Sequence, residues 1–265
     1  MNSVILIPAR YQSSRYPGKP LVNLKGAAGH AKPLIQRSVE AARRVSGISG
    51  IFVTTDDERI ADACASFGVG VIMTSPECRN GTERCAEALA SLHDPDLVIN
   101  FQGDALLTPP GFVEALIARM EGDENALVAT PAMRLRSDEA RSLLREEAAG
   151  RIGGTSVVTN DQGHALYFSK RLIPHLPANA LDDEMSPVRL HVGIYAYRPE
   201  ALDRYVATPV SELEQLEGLE QLRFLAAGVP VAVVEVATPS FALRELNNPE
   251  DVTPIEQALA EAGLE

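Results

Sequence analysis

Three cations lie close together in one short segment near the start of the chain. Arg10, Arg15 and Lys19 follow an apolar run at Val4–Ile7, and Gly18 stands between two prolines beside Lys19. Arginine offers a planar fork of donors, lysine a compact charge, and glycine lets the backbone approach a ligand closely. The segment therefore predicts a polyphosphate site rather than a site for a neutral ligand. The alternative is a solvated basic loop.

The elements around this loop alternate between short apolar runs and longer helical patterns. The strand-like runs are Val4–Ile7, Gly50–Thr55, Val69–Met73 and Leu97–Phe101, and the helical patterns are Pro33–Val45, Glu58–Phe67 and Thr82–Ala90. Continuously apolar strands that alternate with helices predict an α/β fold with a Rossmann-like, mostly parallel central sheet. Such sheets bind ligands beyond the carboxyl ends of their strands, where the basic loop would lie.

The second half of the chain predicts an antiparallel extension of that sheet. Asp161–Gly163 has the composition of a hairpin turn. The predicted strands are Leu127–Met133, Thr155–Thr159, Ala165–Phe168, Val192–Tyr197 and Val231–Val236, and the predicted helices are Glu212–Ala227 and Pro249–Gly263. No linker separates the halves, so we expect a single domain over residues 1–265.

The charge of the chain limits its partners. A formal net charge of −12, from 36 acidic and 24 basic residues, argues against nucleic acid and against an anionic membrane surface, because both require a basic face. The run Val4–Ile7 is too short for a signal peptide or a membrane span. These features predict a cytoplasmic protein.

Ordered motifs along almost the whole chain resemble those of the CMP-KDO synthetases, the 3-deoxy-manno-octulosonate cytidylyltransferases. The opening signature is Ile7–Tyr11, Ser14-Arg15 and Pro17–Leu21. It is followed by Thr54–Asp56, Asn80–Arg84, Asn100 through Gln102–Asp104, Ala165–Ser169, His191 through Gly193–Tyr195, Leu213-Glu214 with Glu217, Leu219–Arg223 and Asn248–Asp251. One short motif would be weak, but the ordered set is a strong family signal.

The resemblance implies attack by the anomeric hydroxyl of an acidic sugar on the α-phosphate of CTP, with release of pyrophosphate. The residues implied in CTP binding are Arg10, Arg15, Lys19, Gly81, Thr82, Arg84 and Gln102, and those implied in catalysis are Lys19, Asp104 and Arg10. Gly81–Arg84 and Gln102 would face cytosine and ribose. The alternative for Thr82–Arg84 is a simple helix start.

A metal site is implied at Asp104 and Asn247. Asp104 follows a buried strand, where a carboxylate can bind Mg²⁺ that bridges phosphate oxygens. A lone Asp at a strand end is otherwise usually a turn or cap residue. The family carries an Asp where this chain has Asn247, and Glu-Pro where this chain has Ala105-Leu106. Both changes remove a carboxylate from the metal side.

The acceptor sugar is implied to contact five polar residues of the second half. They are His191, Tyr195, Glu214, Glu217 and Gln221. Acidic residues on a helix face are otherwise usually solvated. Two further departures fall here, because the family commonly has Lys at Ser156 and Arg at Leu190, and Arg189 beside it would point to the opposite face of a strand.

The resemblance therefore implies a transferase, a Mg²⁺-dependent cytidylyltransferase for a 3-deoxy-2-ulosonic acid, KDO or a related sugar. The alternative is a non-catalytic CTP-binding or regulatory homologue. The resemblance divides the domain into a mainly CTP-binding half, 1–125, and a mainly acceptor-binding and dimerisation half, 126–265. It also implies a homodimer and a product for lipopolysaccharide or capsule biosynthesis.

Overall fold

The protein is described by a computed structural model that covers residues 1–13 and 15–265. Ser14, a member of the opening motif, lies outside the described residues. The chain divides into two compact units, one formed by Met1–Ile117 with Pro239–Glu265 and the other by Ala118–Thr238. The second unit is therefore an insertion in the sequence of the first.

The first unit begins with a parallel βα alternation. Its elements in order are β1 (Ser3–Pro8), β2 (Asn23–Lys25), β3 (Ala31–Pro33), α1 (Leu34–Ala42), β4 (Gly50–Thr55), α2 (Glu58–Ser66), β5 (Gly70–Met73), α3 (Gly81–Ala88), β6 (Leu97–Asn100) and the start of α4 (Pro110–Glu121). The strands lie in the order β5-β4-β1-β6 and all of these pairs are parallel. β2 and β3 form a separate antiparallel hairpin.

The second unit carries most of its strands in antiparallel pairs. Its elements after α4 are β7 (Val128–Arg136), α5 (Ser137–Ala148), β8 (Ser156–Thr159), β9 (Ala165–Ser169), β10 (Met185–His191), β11 (Tyr195–Tyr197), α6 (Pro199–Ala207), α7 (Glu212–Glu217), α8 (Leu222–Ala226) and β12 (Val231–Val236). The strand order is β11-β7-β10-β8-β9, with β12 parallel to β7. The predicted α/β class with a parallel sheet and an antiparallel extension is confirmed.

The chain returns to the first unit at its end. A short 3₁₀ turn at Pro249–Asp251 leads into α9 (Val252–Glu261). Apolar side chains of α9 pack in one buried cluster with residues from the hairpin, α1 and two loops. The members are Leu24, Leu34, Leu106, Leu107, Leu246, Ile255, Ala258 and Leu259. This cluster holds the loop after β6 and the segment before α9 against the same core.

The prediction of one helix over Glu212–Ala227 is wrong. Gly218 has φ 60° and ψ 42°, the left-handed conformation, and its N–H donates to the carbonyl of Glu214 to end α7. Glycine reaches this conformation without steric cost. The apolar spacing continues past Gly218, which is why the pattern alone predicts a continuous helix.

The other predicted elements agree with the structure within three residues at each end, but the strands β2, β3 and β10 and the helices α4, α5 and α6 were not predicted. β10 covers Met185–His191 and contains Pro187, which made a strand unlikely from sequence. The predicted strand Val192–Tyr197 is present only as Tyr195–Tyr197. The single domain stays a prediction, as does its division near residue 125 into a CTP-binding half and an acceptor-binding half.

Within residues 1–13 and 15–265, no helix combines the length and apolar character that crossing a bilayer requires.

Replacing Gly218 by alanine tests the helix break. Gly218→Ala should destabilise the protein by about 1–2 kcal/mol, because a Cβ is unfavourable in the left-handed conformation. The added Cβ would also lie 2.9 Å from the Lys170 Nζ, the flexible end of that side chain. Urea unfolding followed by circular dichroism measures the change. Gly218→Asn is the control and should lose less, since asparagine tolerates this conformation; an alanine variant as stable as the wild type would contradict the explanation.

Candidate functional site

The loops after β1 and β6 approach each other closely in the first unit. A Cβ placed on Gly103 would lie only 2.7 Å from the backbone oxygen of Pro8, so only glycine permits this approach. The Ser38 hydroxyl donates to the carbonyl oxygen of Gly103 at 2.8 Å and fixes the loop. Asp104 is thereby brought beside the basic loop.

The basic loop is closed by a backbone hydrogen bond and a glycine turn. The Gly18 N–H donates to the Tyr11 carbonyl at 2.8 Å, and Gly18 has φ 72°. Lys19 then begins a short 3₁₀ turn, and its Nζ lies 2.6 Å from Asp104 Oδ2. Both side chains are mostly shielded, with 22% and 15% exposure, so the contact is stronger than an open surface pair. Arg10 follows β1 and is exposed.

Asn247 joins the same cluster from the other end of the sequence. Arg15 Nη2 donates to Asn247 Oδ1 at 2.7 Å. Glu245 lies two residues before Asn247. Leu246, between these residues, is fully buried in the apolar cluster. The structure thus brings together four predicted residues, Lys19, Asp104, Arg15 and Asn247, and adds Glu245.

The negative charge of Asp104 raises the pKa of Glu245. Repulsion from Asp104 is the main cause that raises the pKa of Glu245 to about 7, and loss of solvation adds to it. Lys19, Arg15 and the hydrogen bond from Asn247 act in the opposite direction. Because Glu245 is largely exposed, we attribute the raised pKa to its carboxylate neighbour more than to burial.

Two side-chain amides lie at the start of α3. A Cβ on Gly81 would lie 3.2 Å from both Asn100 Nδ2 and Gln102 Nε2, and Gln102 Nε2 donates to Asn100 Oδ1 at 3.3 Å. Asn100 is fully buried, and its Nδ2 has no hydrogen-bond partner in the structure. A buried amide donor without a partner is costly unless a ligand satisfies it. This corner can therefore accept a polar, planar ligand.

The side chains of Thr82 and Arg84 on α3 are buried within the protein. Thr82 is fully buried, and the Arg84 side chain is 4% exposed. Arg84 donates to the Thr74 hydroxyl and lies 3.4 Å from the Asp56 carboxylate, an ionic contact without hydrogen-bond geometry. These contacts tie α3 to the ends of β4 and β5. The assignment of Thr82 and Arg84 to CTP stays a prediction.

His191 lies at the end of β10 in the second unit. Its Nε2 is 2.8 Å from Thr130 Oγ1, and that hydroxyl also lies 2.8 Å from the Ile194 carbonyl oxygen. Because Thr130 has one proton and donates it to Ile194, it accepts from Nε2–H of the neutral imidazole. Burial lowers the pKa of His191 to about 3. The residue is partly exposed, but Phe168 and Tyr195 contact its ring, which explains the desolvation.

Gln221 and Tyr195, two further residues predicted to contact the acceptor, are both buried but differ in their surroundings. Gln221 is 2% exposed, and its Nε2 is a buried donor without a hydrogen-bond partner in the structure. Tyr195 is buried and stacks on Tyr197, with ring centroids 5.7 Å apart. Gln221 thus keeps a donor for a ligand, whereas Tyr195 mainly packs.

Glu214 and Glu217 make strong contacts within the protein. Both oxygens of Glu214 bind the buried Arg223, at 2.6 Å and 2.8 Å. Glu217 accepts from the Ser169 hydroxyl at 2.8 Å and from the Lys170 N–H at 3.0 Å. The structure therefore gives each a structural partner, and their direct contact with an acceptor stays a prediction.

The residues that depart from the family pattern also have partners. The Ser156 hydroxyl donates to the Arg171 carbonyl at 2.6 Å. Leu190 packs against an apolar cluster that includes Val188, and Arg189 Nε lies 3.0 Å from Glu235. Arg189 therefore faces Glu235 and does not replace an arginine at position 190.

Oxygen ligands for a hard cation are available in the first unit, but no ready-made cage is present. Among residues 1–13 and 15–265, no group of three or more His, Cys, Asp or Glu side chains is placed to hold a metal. Asp104, Asn247 and Glu245 offer two carboxylates and one amide oxygen, a donor set that suits Mg²⁺ when phosphates and water complete it. Asp251 instead accepts from the Asn247 and Asn248 backbone N–H groups and caps the following turn.

Sequence reasoning missed Glu245, Asn100 and Thr130 as site residues. Asn100 lay inside a quoted motif, and its position at the end of a buried strand was a usable signal. Glu245 lies two positions before Asn247, and alternate residues of an extended segment share a face. The contact of Thr130 with His191 depends on pairing between β7 and β10, and β10 was not predicted.

Comparison with known proteins supports one family. Residues 4–234 match the family described as cytidylyltransferase. The chain is 39% identical over 264 residues to the 3-deoxy-manno-octulosonate cytidylyltransferase of Maricaulis maris (strain MCS10), which covers 99% of both chains. It is 40% identical over 263 residues to the 8-amino-3,8-dideoxy-manno-octulosonate cytidylyltransferase of Shewanella sp. (strain ANA-3), which covers 98% of this chain and 99% of that protein.

Solved structures give the same grouping. CMP:2-keto-3-deoxy-manno-octonic acid synthetase complexed with CTP matches with a TM-score of 0.84 at 37% identity, over 99% of this chain and 100% of that chain. A cytidylyltransferase from Leptospira borgpetersenii serovar Hardjo-bovis (strain JB197) matches with a TM-score of 0.62 at 13% identity, over 98% of this chain and 87% of that chain. The second likeness concerns the fold alone.

The neutral state of His191 predicts a pH dependence of stability. Its pKa of about 3 in the folded protein lies below the usual 6.5, so the unfolded chain binds the proton more readily. The stabilisation is complete above about pH 6.5 and decreases as the pH falls towards 3, by at most about 1.4 kcal/mol per pH unit. His191→Gln should remove this part of the decline in urea midpoints between pH 7.5 and 5. The exposed His93→Gln, as control, should keep the wild-type slope; equal slopes in all three proteins would contradict the prediction.

Proposed function

Because the chain belongs to the cytidylyltransferase family, we propose that it transfers CMP from CTP to the anomeric hydroxyl of a 3-deoxy-2-ulosonic acid, releasing pyrophosphate. The acceptor is KDO or a related acidic sugar such as its 8-amino-8-deoxy analogue, in line with the names of the relatives. The observation that carries the proposal is the cluster of Lys19, Arg15 and Asp104 at the carboxyl ends of β1 and β6.

The reaction is electrostatically demanding, and the first unit offers charges suited to it. The acceptor oxygen forms a bond to the α-phosphorus, and the bond from that phosphorus to the bridging oxygen breaks as pyrophosphate leaves. Negative charge grows on the leaving group, so fixed cations stabilise the transition state. Arg10, Arg15 and Lys19 serve this purpose in our proposal, with Lys19 exchanging Asp104 for phosphate oxygens.

The cytosine and ribose are assigned to the corner at the start of α3. Gln102 and Asn100 offer amide groups there, and Gly81 leaves space for a planar base. The buried Nδ2 of Asn100 would gain the acceptor that it lacks. Thr82 and Arg84 support this corner from α3, where Arg84 holds Thr74 and Asp56.

The donor set at the phosphate end fits Mg²⁺ as the cofactor. Asp104 and Asn247 would hold the ion, which supplies positive charge to phosphate oxygens when it is bound. Before the nucleotide binds, Lys19 and Arg15 occupy these two oxygen groups. Withdrawal of both cations onto the triphosphate would free Asp104 and Asn247 at the moment when the ion is needed.

The acceptor is assigned to the second unit. Neutral His191 and the unpaired donor of Gln221 are suited to hydrogen-bond sugar hydroxyls and a carboxylate. Tyr195 would pack beside the His191 ring. Glu217 would contact the acceptor from its position beside Ser169 on β9. Glu214 would act through Arg223, by fixing α7 against α8.

A non-catalytic CTP-binding homologue is the second candidate function. It would explain the neutral residue at Asn247 and the loss of the carboxylate at Ala105. The retained contact between Lys19 and Asp104 favours the enzyme, because a binding protein has no need for a carboxylate beside the phosphates. We also propose a cytoplasmic location and a product that enters lipopolysaccharide or capsule biosynthesis.

A pyrophosphate-release assay separates the candidates. With CTP, Mg²⁺ and either KDO or its 8-amino analogue, we expect release from the wild type and loss of most activity in Lys19→Met. Lys19→Met should weaken CTP binding more than CMP binding in calorimetry, since the lost cation is assigned to the outer phosphates. Lys25→Met, an exposed lysine on β2, is the matched control. CTP binding without release for any ulosonic acid would favour the non-catalytic candidate.

We propose a homodimer whose interface includes part of the hairpin over residues 155–169 or of the following segment, residues 172–186. Leu166 on β9 is 61% exposed and would be covered at such an interface. Leu166→Glu should shift the mass measured by light scattering from dimer towards monomer. Leu144→Glu on α5, at a leucine that is 37% exposed outside this segment, should leave the dimer intact. A monomeric wild type at micromolar concentration would refute the proposal.

A further inference from the structure

We propose that Thr130 is a positioning residue for the acceptor: it holds the imidazole proton of His191 on Nε2, so that Nδ1 is left to accept a hydrogen bond from a hydroxyl group of the sugar. The assignment rests on the proposed function, in which His191 contacts the acceptor. It adds the direction of that contact, because the sugar donates and the imidazole accepts. The sugar carboxylate, which has no proton to donate at neutral pH, is therefore not the group that His191 binds.

The pairing of β7 with β10 brings Thr130 to His191. His191 lies opposite Ala132 in the antiparallel register, and Thr130 is two residues from Ala132 on the same face of β7. Diagonal neighbours of this kind are within reach of aromatic side chains. The His191 Nε2 atom accordingly lies 2.8 Å from Thr130 Oγ1. Thr130 is fully buried, so its hydroxyl cannot exchange this partner for water.

The surroundings of the Thr130 hydroxyl decide where the imidazole proton lies. Oγ1 is 2.8 Å from the Ile194 carbonyl oxygen and 3.3 Å from the Val192 carbonyl oxygen, and both of these atoms can only accept. The single proton of the hydroxyl is needed there, because two oxygen atoms at hydrogen-bonding distance with no proton between them would repel each other. Oγ1 then has only lone pairs to offer His191, so Nε2 must carry the proton.

The other ring nitrogen, Nδ1, is left for a ligand by the packing around the ring. Phe168 meets the His191 ring nearly edge to face, at a centroid distance of 5.0 Å and an interplanar angle of 75°. Tyr195 lies 5.5 Å away at 43°. Within residues 1–13 and 15–265, the hydrogen bond between Nε2 and Thr130 is the only one that the His191 ring makes. The ring is thus oriented by three neighbours, keeps part of its surface exposed and retains the lone pair of Nδ1.

Desolvation keeps this lone pair available at neutral pH. Because burial lowers the pKa of His191 to about 3, the imidazole stays neutral and Nδ1 stays unprotonated. A neutral nitrogen of this kind accepts from a hydroxyl group, whereas its lone pair repels those of a carboxylate. Gln221, whose buried Nε2 is a donor without a hydrogen-bond partner, offers the carboxylate a donor instead.

Nitrogen NMR of the histidine rings tests the role of Thr130 without turnover. In two-bond ¹H–¹⁵N spectra of the ¹⁵N-labelled protein, His191 is identified among the five histidines as the ring whose signals His191→Gln removes. We expect Nε2 at the position of a protonated nitrogen and Nδ1 at that of an unprotonated one. Protonation on Nδ1 in the wild type would overturn the inference, and this measurement requires no change at Thr130.

Two variants of Thr130 then separate its hydroxyl from its shape. Thr130→Val keeps the shape but leaves the buried Nε2–H without an acceptor, so the tautomer protonated on Nδ1 should become populated. Thr130→Ser keeps the hydroxyl and should keep the single tautomer of the wild type. Ring signals of His191 that are the same in Thr130→Val as in the wild type would overturn the inference.

Steady-state pyrophosphate release tests the consequence for the sugar. Thr130→Val should raise the KM for KDO about 3- to 10-fold, the effect of losing one neutral hydrogen bond, and should leave the KM for CTP unchanged. Thr130→Ser should stay near the wild type. Thr208→Val is the matched control, because it removes a hydroxyl that likewise donates to a backbone carbonyl, that of Arg204. Equal increases in both KM values for Thr130→Val, or a lower kcat with an unchanged KM for KDO, would show a merely structural role and overturn the inference.

Failure of this inference and failure of the proposed function give different results. If the wild type releases pyrophosphate with KDO or its 8-amino analogue and Thr130→Val has the wild-type KM for the sugar, Thr130 does not position His191 for the acceptor, and the cytidylyltransferase proposal stands. If the wild type releases no pyrophosphate with any ulosonic acid, the proposed function fails, and the role of Thr130 towards the acceptor fails with it.

Discussion

The close contact between Lys19 and Asp104 is the interaction around which the first unit is arranged. It requires that the loops after β1 and β6 nearly touch, and Gly103 permits this because any side chain there would collide with the Pro8 carbonyl. The contact also places positive charge where an otherwise acidic protein needs it. With a net charge of −12, the chain cannot attract a polyphosphate by its overall field and must hold its cations in one fixed group.

Two ion pairs, one in each unit, differ in their burial. In the first, Lys19 and Asp104 keep 22% and 15% exposure, so a ligand could exchange this contact. In the second, Arg223 and Glu214 are almost fully buried and bind through two hydrogen bonds. Removal of one partner from such a pair typically costs about 3–5 kcal/mol, since a buried charge is left alone. The buried pair therefore holds α7 and α8 on either side of Gly218.

The sequence was sufficient for the parts of the structure that depend on local patterns. The strands β1, β4, β5 and β6 are continuously apolar, and their order with the helices predicted the parallel sheet and the edge that carries Lys19 and Asp104. Local patterns failed where one residue reverses the backbone, as at Gly218, and where a strand depends on its partners, as in β10. The raised pKa of Glu245 could not be predicted from a local pattern, because its main cause is Asp104, a residue distant in the sequence.

The return of Pro239–Glu265 to the first unit affects how the protein can be made. During synthesis from the N-terminus, β1, β4, β5 and β6 leave the ribosome before the inserted residues Ala118–Thr238, but Leu246, Ile255 and Leu259 leave it last. The apolar faces around Leu24, Leu34 and Leu106 must therefore wait for more than a hundred residues before their cover arrives. A nascent chain of this kind exposes apolar surface while the insertion is translated. Such surface promotes aggregation, so we expect chaperones to bind the nascent chain. The edge that carries Lys19 and Asp104 can be packed only after the insertion has been translated, so chains that stop before Leu246 should be unstable.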